Sequence, residues 1–339
     1  MANAVFSPRD FKAFVIEETV TGNNGGAIDS PNITSNMFQL DVDSISFPSL
    51  NVNQLTEVRS NTGRAAHVND FFQDNDYRAT EISLSGRFHN DAGHGMLLQS
   101  VGGANLAGAA ADVTIGATPT LVAGQYNESE TEKTFTLVLS PPDYTDGKNI
   151  IMVGCLCTNF SISADMTTDG GQYKFSATIS SGRVPVLDNT SIAAGTAFGG
   201  TYVDMSGLDI SELKIFNKAP VLSSFSVTVD SPAVYTGISE GKGYNCFGRG
   251  PEIAVTASAT VKYDSTTSDL INTFDTQSGA LTGNFLNLQQ TTATAGSIQI
   301  ANGVLTNVAM NEGDIMMLDI EMKALTNGSA NLVEFNLAS

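Results

Sequence analysis

Phe38-Gln39-Leu40-Asp41-Val42-Asp43-Ser44 is answered far downstream by Phe225-Ser226-Val227-Thr228-Val229-Asp230-Ser231, and the segments after each stretch keep the same order. In the first, Phe38, Leu40 and Val42 alternate with Gln39, Asp41 and Asp43. In the second, Phe225, Val227 and Val229 alternate with Ser226, Thr228 and Asp230. Alternation with period two is the pattern of a strand with one buried face. Each stretch then runs into a polar, glycine-containing loop, so the chain reads as one β-rich unit written twice.

Two further echoes extend the reading. Ile82, Leu84 and Phe88 mark one strand face, and Val255, Ala257, Ala259 and Val261 mark its counterpart. Short helices follow: Leu97, Leu98 and Val101 lie at i, i+1 and i+4, as do Leu270, Ile271 and Phe274, which puts each trio on one side of a helical turn or two. Later, Phe135–Leu139 matches Phe285–Leu288, and Leu156–Ile162 matches Val304–Met310 through a shared Thr-Asn pair, Thr158-Asn159 and Thr306-Asn307. Both copies turn over an acidic glycine loop, Asp169-Gly170-Gly171 and Glu312-Gly313-Asp314, into return strands Tyr173–Ile179 and Met316–Met322. The spacing between copies shrinks from Phe38/Phe225 to Val101/Phe274 to Thr158/Thr306, so the first copy carries the longer loops. The expectation is a mainly β protein of two tandem, duplicated β-sandwich or barrel domains, each with a short flanking helix: residues 1–186 and 203–339, joined by a linker at 187–202.

Composition agrees with strands and turns. Among 339 residues, 41% are hydrophobic and only 15% charged, with 32 Gly, 18 Phe and no Trp. The net charge of −19 argues against a tight grip on nucleic acid, which needs Lys and Arg to neutralise phosphate. The three cysteines, Cys155, Cys157 and Cys246, lack a disulfide framework, and buried free thiols are expected. No segment approaches the roughly 20 apolar residues of a membrane span, and the N-terminus lacks a signal-peptide pattern, so synthesis in a cytoplasm is expected.

With this order in hand, the chain resembles the tail tube proteins of long-tailed bacteriophages with non-contractile tails. The resemblance rests on the early strand ending in Asp-Ser, the long loop, the strand leading to a short helix, and the closing hairpin over an acidic glycine turn. It spans about Phe38 to Met322. It implies a structural virion protein, not an enzyme, made in the bacterial host cytoplasm. Rings would stack into a tube, and a duplicated chain implies three subunits per pseudo-sixfold ring. It also implies contacts with a tape measure protein and tail-end ring proteins, and a lumen through which DNA passes without specific binding. Closure around a ring removes the exposed strand edges that an open sheet would present.

The acidity then acquires a use, since carboxylates along a bore repel passing phosphates within about 8 Å at physiological salt. Asp41, Asp43, Asp230, Asp319 and Glu321, on the polar faces of repeated strands, are the candidates; the plainer reading has them facing outer solvent. Arg59, Arg64, His67, Arg78 and Arg87 lie in or beside the first unit's long loop, and Lys242 and Arg249 in the second's, where Gly248-Arg249 echoes Gly63-Arg64. These are candidate contacts between rings, set against ordinary solvated loop charge. No cofactor is expected. His89 and His94 stand five apart with no intervening Glu, unlike a zinc hydrolase helix, and read better as strand-end and helix-start residues. Asp70, Asp74 and Asp76 lack the Gly and distal Glu of a calcium loop. Rival readings are another tail ring component, such as a terminator or distal tail protein, and a carbohydrate-binding β-sandwich of an appendage.

Overall fold

The computed structural model describes residues 5–18, 37–48, 54–56, 71–73, 80–102, 113–115, 134–189, 191–192, 202–238, 244–249, 252–279, 281–291, 296–325 and 332–336. Its strands in the first half are β1 (Lys12–Glu17), β2 (Phe38–Leu40), β3 (Val42–Ser46), β4 (Gln54–Thr56), β5 (Phe71–Gln73), β6 (Thr80–Arg87), β7 (Val113–Ile115), β8 (Phe135–Ser140), β9 (Asn149–Asp165), β10 (Lys174–Ser181) and β11 (Val186–Asp188). In the second half they are β12 (Lys214–Ile215), β13 (Leu222–Asp230), β14 (Ala233–Ile238), β15 (Tyr244–Arg249), β16 (Ala254–Lys262), β17 (Leu281–Leu288), β18 (Ser297–Asn311), β19 (Met317–Ala324) and β20 (Val333–Asn336). Helix α1 (Ala92–Val101) lies between β6 and β7, the single turn α2 (Tyr144–Gly147) precedes β9, and α3 (Asp269–Thr276) follows β16.

The protein is mainly β, and its ladders are antiparallel. Sixteen strands form one open sheet whose main path runs β12-β17-β18-β19-β16-β13-β9-β10-β6-β3. Among the described residues, ladders cross between the two halves at β13–β9 and at β20–β7. Two separate closed barrels are therefore not what the described strands form.

Two runs have the same order, β17-β18-β19-β16-β13 on the path and β8-β9-β10-β6-β3, in which β8 joins β9 as a branch off the path. They also shift register at matching places. Asn159 faces Thr178 and Cys157 faces Ile179, so Thr158 is bulged out; Asn307 faces Glu321 and Leu305 faces Met322, so Thr306 is bulged out. Val42 faces Gly86 and Ser44 faces Ser85, skipping Asp43; Leu222 faces Val261 and Ser224 faces Thr260, skipping Ser223. A bulge re-aims a strand and fixes its register.

These registers correct the opening echo. Ile45, not Phe38, stands where Phe225 stands, since Ile45 faces Leu84 and Phe225 faces Ala259. The stretch Phe38–Ser44 is not one strand either. It breaks at Asp41, whose carbonyl accepts the Arg87 N–H at 3.2 Å. Before the break β2 pairs with β1, and after it β3 pairs with β6. Gly86 makes this crossing possible, because a Cβ there would stand 2.0 Å from the Asp41 oxygen.

Burial alternates along β6, β10, β13, β16 and β19, with Ile82, Ala177, Val227, Ala257 and Ile320 among the residues facing the core. The two helices differ. Every residue of α1 from Gly93 to Val101 is buried, whereas α3 buries Leu270 alone and leaves Phe274 38% exposed. Strand β1 was not foreseen; Ala13, Phe14, Val15 and Ile16 are all buried in it. Its counterpart is β12, because Val15 faces Leu137 on β8 as Ile215 faces Leu286 on β17.

Candidate functional site

Opposite the core, the strands from β19 to β3 present a polar face. Directly paired residues share a face, so the register defines transverse rows. One runs Thr256, Thr228, Ser161, Ser176, Ser85, with hydroxyls on five successive strands. The next runs Glu321, Ser258, Ser226, Ser163, Lys174, Arg87. A shallow concavity of about 380 Å³ opens on this face beside Thr306 and Glu321.

Of the five expected carboxylates, Asp230, Asp319 and Glu321 lie on the polar face. Asp319 accepts hydrogen bonds from Thr260 at 2.8 Å and Asn311 at 3.1 Å, and Asp230 accepts one from Asn159 at 3.4 Å. Asp165 joins them, its carboxyl held below the usual range by the Thr167 hydroxyl and N–H. Asp43 is exposed in the β3 bulge. Asp41 is committed elsewhere: its carboxylate meets His89 Nε2 at 2.8 Å. Lys174, Arg87, Lys262 and Lys323 share the face with the acids, with Lys174 bound to Asp169 at 2.5 Å and Lys323 to Glu252 at 3.0 Å. The face is thus hydroxyl-rich and of mixed charge, rather than uniformly acidic.

Arg59, Arg64, His67, Arg78 and Lys242 lie outside the described residues, as do Asp70, Asp74 and Asp76. Arg249, expected in an exposed loop, is instead 6% exposed. Its guanidinium donates to the carbonyls of Cys157 at 2.9 Å, Ser231 at 2.8 Å and Ser100. It thereby ties the β14–β15 hairpin to β9 and to the end of α1. Tyr235 on the same hairpin donates to the Ser180 carbonyl at 2.7 Å. The local signal for this placement was Tyr244–Phe247, a short run ending in Gly248-Arg249 that reads as a strand once paired.

His94 sits in the first turn of α1, bonded to the N-cap residue Asp91 through both its N–H and Nδ1. Burial raises the Asp91 carboxyl, but the His94 hydrogen bonds and nearby imidazoles outweigh it and hold the group low. Cys155 and Cys157 are buried free thiols; burial pushes Cys157 up to about 12 despite Arg249 nearby. Glu18 is buried, accepting the Gly154 N–H at 2.7 Å and the Thr136 hydroxyl at 2.8 Å, with Thr134 also donating.

The two sheet edges complete the geometry. Strand β3 has β6 as its one partner, and Val304–Asn311 of β18 has β19 alone, among the described residues. Their counterparts, β13 and the C-terminal half of β9, pair with each other over Ser224–Asp230 and Asp165–Asn159. No protein-family model matches the chain, and no curated protein matches it. No helix among the described residues is long and apolar enough to cross a membrane.

Proposed function

We propose that this chain is a self-assembling structural subunit of the phage tail tube type, built from two duplicated β units and joined copy to copy through its sheet edges. One observation carries the reading: the junction between the halves, β13 on β9, uses the counterparts of the two edges left open, β3 and β18. A contact that the chain makes once with itself is available for repetition between copies, head to tail, and such a heterologous contact closes into a ring when the rotation permits.

The internal register transfers directly. Phe225 faces Ala164, Ser226 faces Ser163 and Val227 faces Ile162. The equivalent intermolecular pairs are Ile45 with Glu312, Ser46 with Asn311 and Phe47 with Met310. Ile162 is 1% exposed within its junction, whereas Met310 is 53% exposed at the open edge. Apolar surface of that kind on an unpaired strand is what a docking strand covers.

In a ring of three copies the polar face continues around the circumference and lines a bore. Of the four cations on this face, Lys174 and Lys323 are each held by a carboxylate, and the net charge of −19 disfavours adsorption over the particle as a whole. The lining carboxylates are Asp165, Asp230, Asp319 and Glu321, with Asp41 withdrawn to His89. Tape measure and tail-end ring proteins are the partners this reading implies, in a virion tail assembled in the host cytoplasm.

Negative-stain electron microscopy of the purified protein at rising concentration tests the reading. Hollow tubes with threefold rings are expected. A protein that stays monomeric at millimolar concentration, or binds glycans as a monomer, overturns it. Short single rings that never stack point to a terminator or distal tail role.

A further inference from the structure

Among the described residues, the hairpin tip between β9 and β10 is covered, and its counterpart between β18 and β19 is not. Lys174 faces Ser163 as Met317 faces Asn311, so Tyr173 corresponds to Met316 and Ile162 to Met310. A hydrogen bond repeats the match: the Tyr173 carbonyl accepts from Phe88 at 2.9 Å, and the Met316 carbonyl accepts from Tyr263 at 3.0 Å. Yet Tyr173 and Ile162 are each 1% exposed, while Met316 is 43%, Met310 53% and Ile315 64% exposed.

The cover over the first tip comes from the second half of the chain. Tyr173 packs edge-on against Phe225 with ring centres 5.0 Å apart, and its N–H donates to the Val203 carbonyl at 2.8 Å. The Met205 N–H donates to Gly171 at 2.8 Å, and the Met205 side chain rests where a Cβ on Gly171 would lie 3.1 Å from it. Val203 and Met205 are 6% and 8% exposed as a result.

This covering segment leads into β12, whose counterpart is β1, with Ile215 matched to Val15. Met205 lies ten residues before Ile215, and Val5 lies ten residues before Val15. Val5 is 94% exposed, just ahead of a stretch anchored to its own unit by Phe6 on Phe11 and Phe11 on Phe47. Counted back from the matched strands, the exposed Val5 and the exposed tip stand at the positions whose counterparts meet inside the chain, although the single turn Pro8–Asp10 lies closer to β1 than the turn Met205–Gly207 lies to β12.

We infer that Val5 of one copy seats on the β18–β19 tip of a neighbouring copy, against Met310, Ile315 and Met316, as Met205 seats on the β9–β10 tip. This rests on the head-to-tail reading above and names a second contact within it. The partner is a second copy of this chain.

Full-length protein carrying Val5→Cys and Met316→Cys, allowed to assemble and treated with a short bismaleimide, tests the contact. Val5→Cys with Val186→Cys is the control, and each sample is also imaged. The expected result is a ladder of covalent dimers and higher species from the first pair and none from the control. Tubes without a ladder, a ladder equal in both, or cross-linking only within one chain overturns the inference and leaves edge pairing standing. Absence of any polymer in the unsubstituted protein overturns the edge pairing itself, and this contact with it. Val5→Asp is expected to raise the critical concentration for assembly about tenfold or more, and Val5→Ile to leave it near the unsubstituted value.

Discussion

Arg249→Ala removes a group that, beside Tyr235, joins the second unit's hairpin to the first unit. Three carbonyls, of Cys157, Ser231 and Ser100, accept from the one guanidinium, and the arginine is 6% exposed. Each buried acceptor left without a donor costs about 1–3 kcal/mol. The three do not add in full, because the hairpin can relax and admit water to part of the cavity. A loss of about 3–5 kcal/mol is therefore expected, or about 6–10 °C at roughly 2 °C per kcal/mol for a chain of this size. Arg249→Lys keeps the charge but presents no planar fork, so it recovers only part of the loss.

The assay is equilibrium urea denaturation followed by circular dichroism, on protein diluted below its assembly threshold. Alanine is expected to lower the midpoint more than lysine, with little change in slope. A loss under about 1 kcal/mol for the alanine variant refutes the reasoning, since it means that water or another side chain already satisfies those carbonyls. A midpoint shift confined to the second half, seen as a separate early transition, shows that the halves are held by the β13–β9 ladder without the hairpin.

Gly86→Ala places a Cβ 2.0 Å from the Asp41 carbonyl oxygen, which is backbone and cannot swing aside. It is expected to cost about 2–3 kcal/mol through displacement of β3 and, under the proposed assembly through β3, to abolish the polymerisation expected of the parent, as read by sedimentation. Glu18 supplies a pH signature. Burial raises its folded-state value above the ordinary 4.5, outweighing the hydrogen bonds from Gly154, Thr134 and Thr136 and the attraction of Arg183. The native state therefore holds this proton more tightly, and the contribution of Glu18 to stability is full below pH 4.5 and lost as pH rises through the raised value. Glu18→Gln is expected to gain stability relative to the parent between pH 4 and pH 8, measured by urea midpoints; a gap independent of pH refutes this.

How far the sequence could be read follows from what each signal depends on. The alternation in Phe225–Val229 and the Thr158-Asn159/Thr306-Asn307 match are local, and both fall on real features, a one-face-buried strand and a shared bulge. The match of Phe38 to Phe225 failed because alternating strands resemble one another at many offsets. Only the cross-strand partner, Leu84 or Ala259, fixes which offset is right. Asp41 looked like any outward carboxylate, and its use depends on His89, 48 residues away. Arg249 looked like loop charge for the same reason, since its acceptors at Cys157 and Ser100 are 92 and 149 residues distant. Strand β1 was within reach: Ala13-Phe14-Val15-Ile16 is a short apolar run of the kind that marks a strand buried on both faces.

The shared bulge also separates the roles of the two edges. At Cys157 the backbone N–H donates to the Ser100 hydroxyl at 3.0 Å and the carbonyl accepts from Arg249 at 2.9 Å, so the second half of the chain is needed to satisfy it. At the matching Leu305 a single side chain does both: Gln277 accepts from the N–H at 3.1 Å and donates to the carbonyl at 2.7 Å. Gln277 comes from the same half as Leu305. The bulge on the open edge is thus satisfied before any partner arrives, and that on the joined edge is satisfied through the join. The proposed assembly would call for this asymmetry, because buried polar groups left waiting for a partner destabilise a free subunit. Beside exposed polar residues such as Thr306 and Asn307, the open edge and the adjoining hairpin tip leave Met310, Ile315 and Met316 uncovered, and under the proposed assembly their burial would favour association.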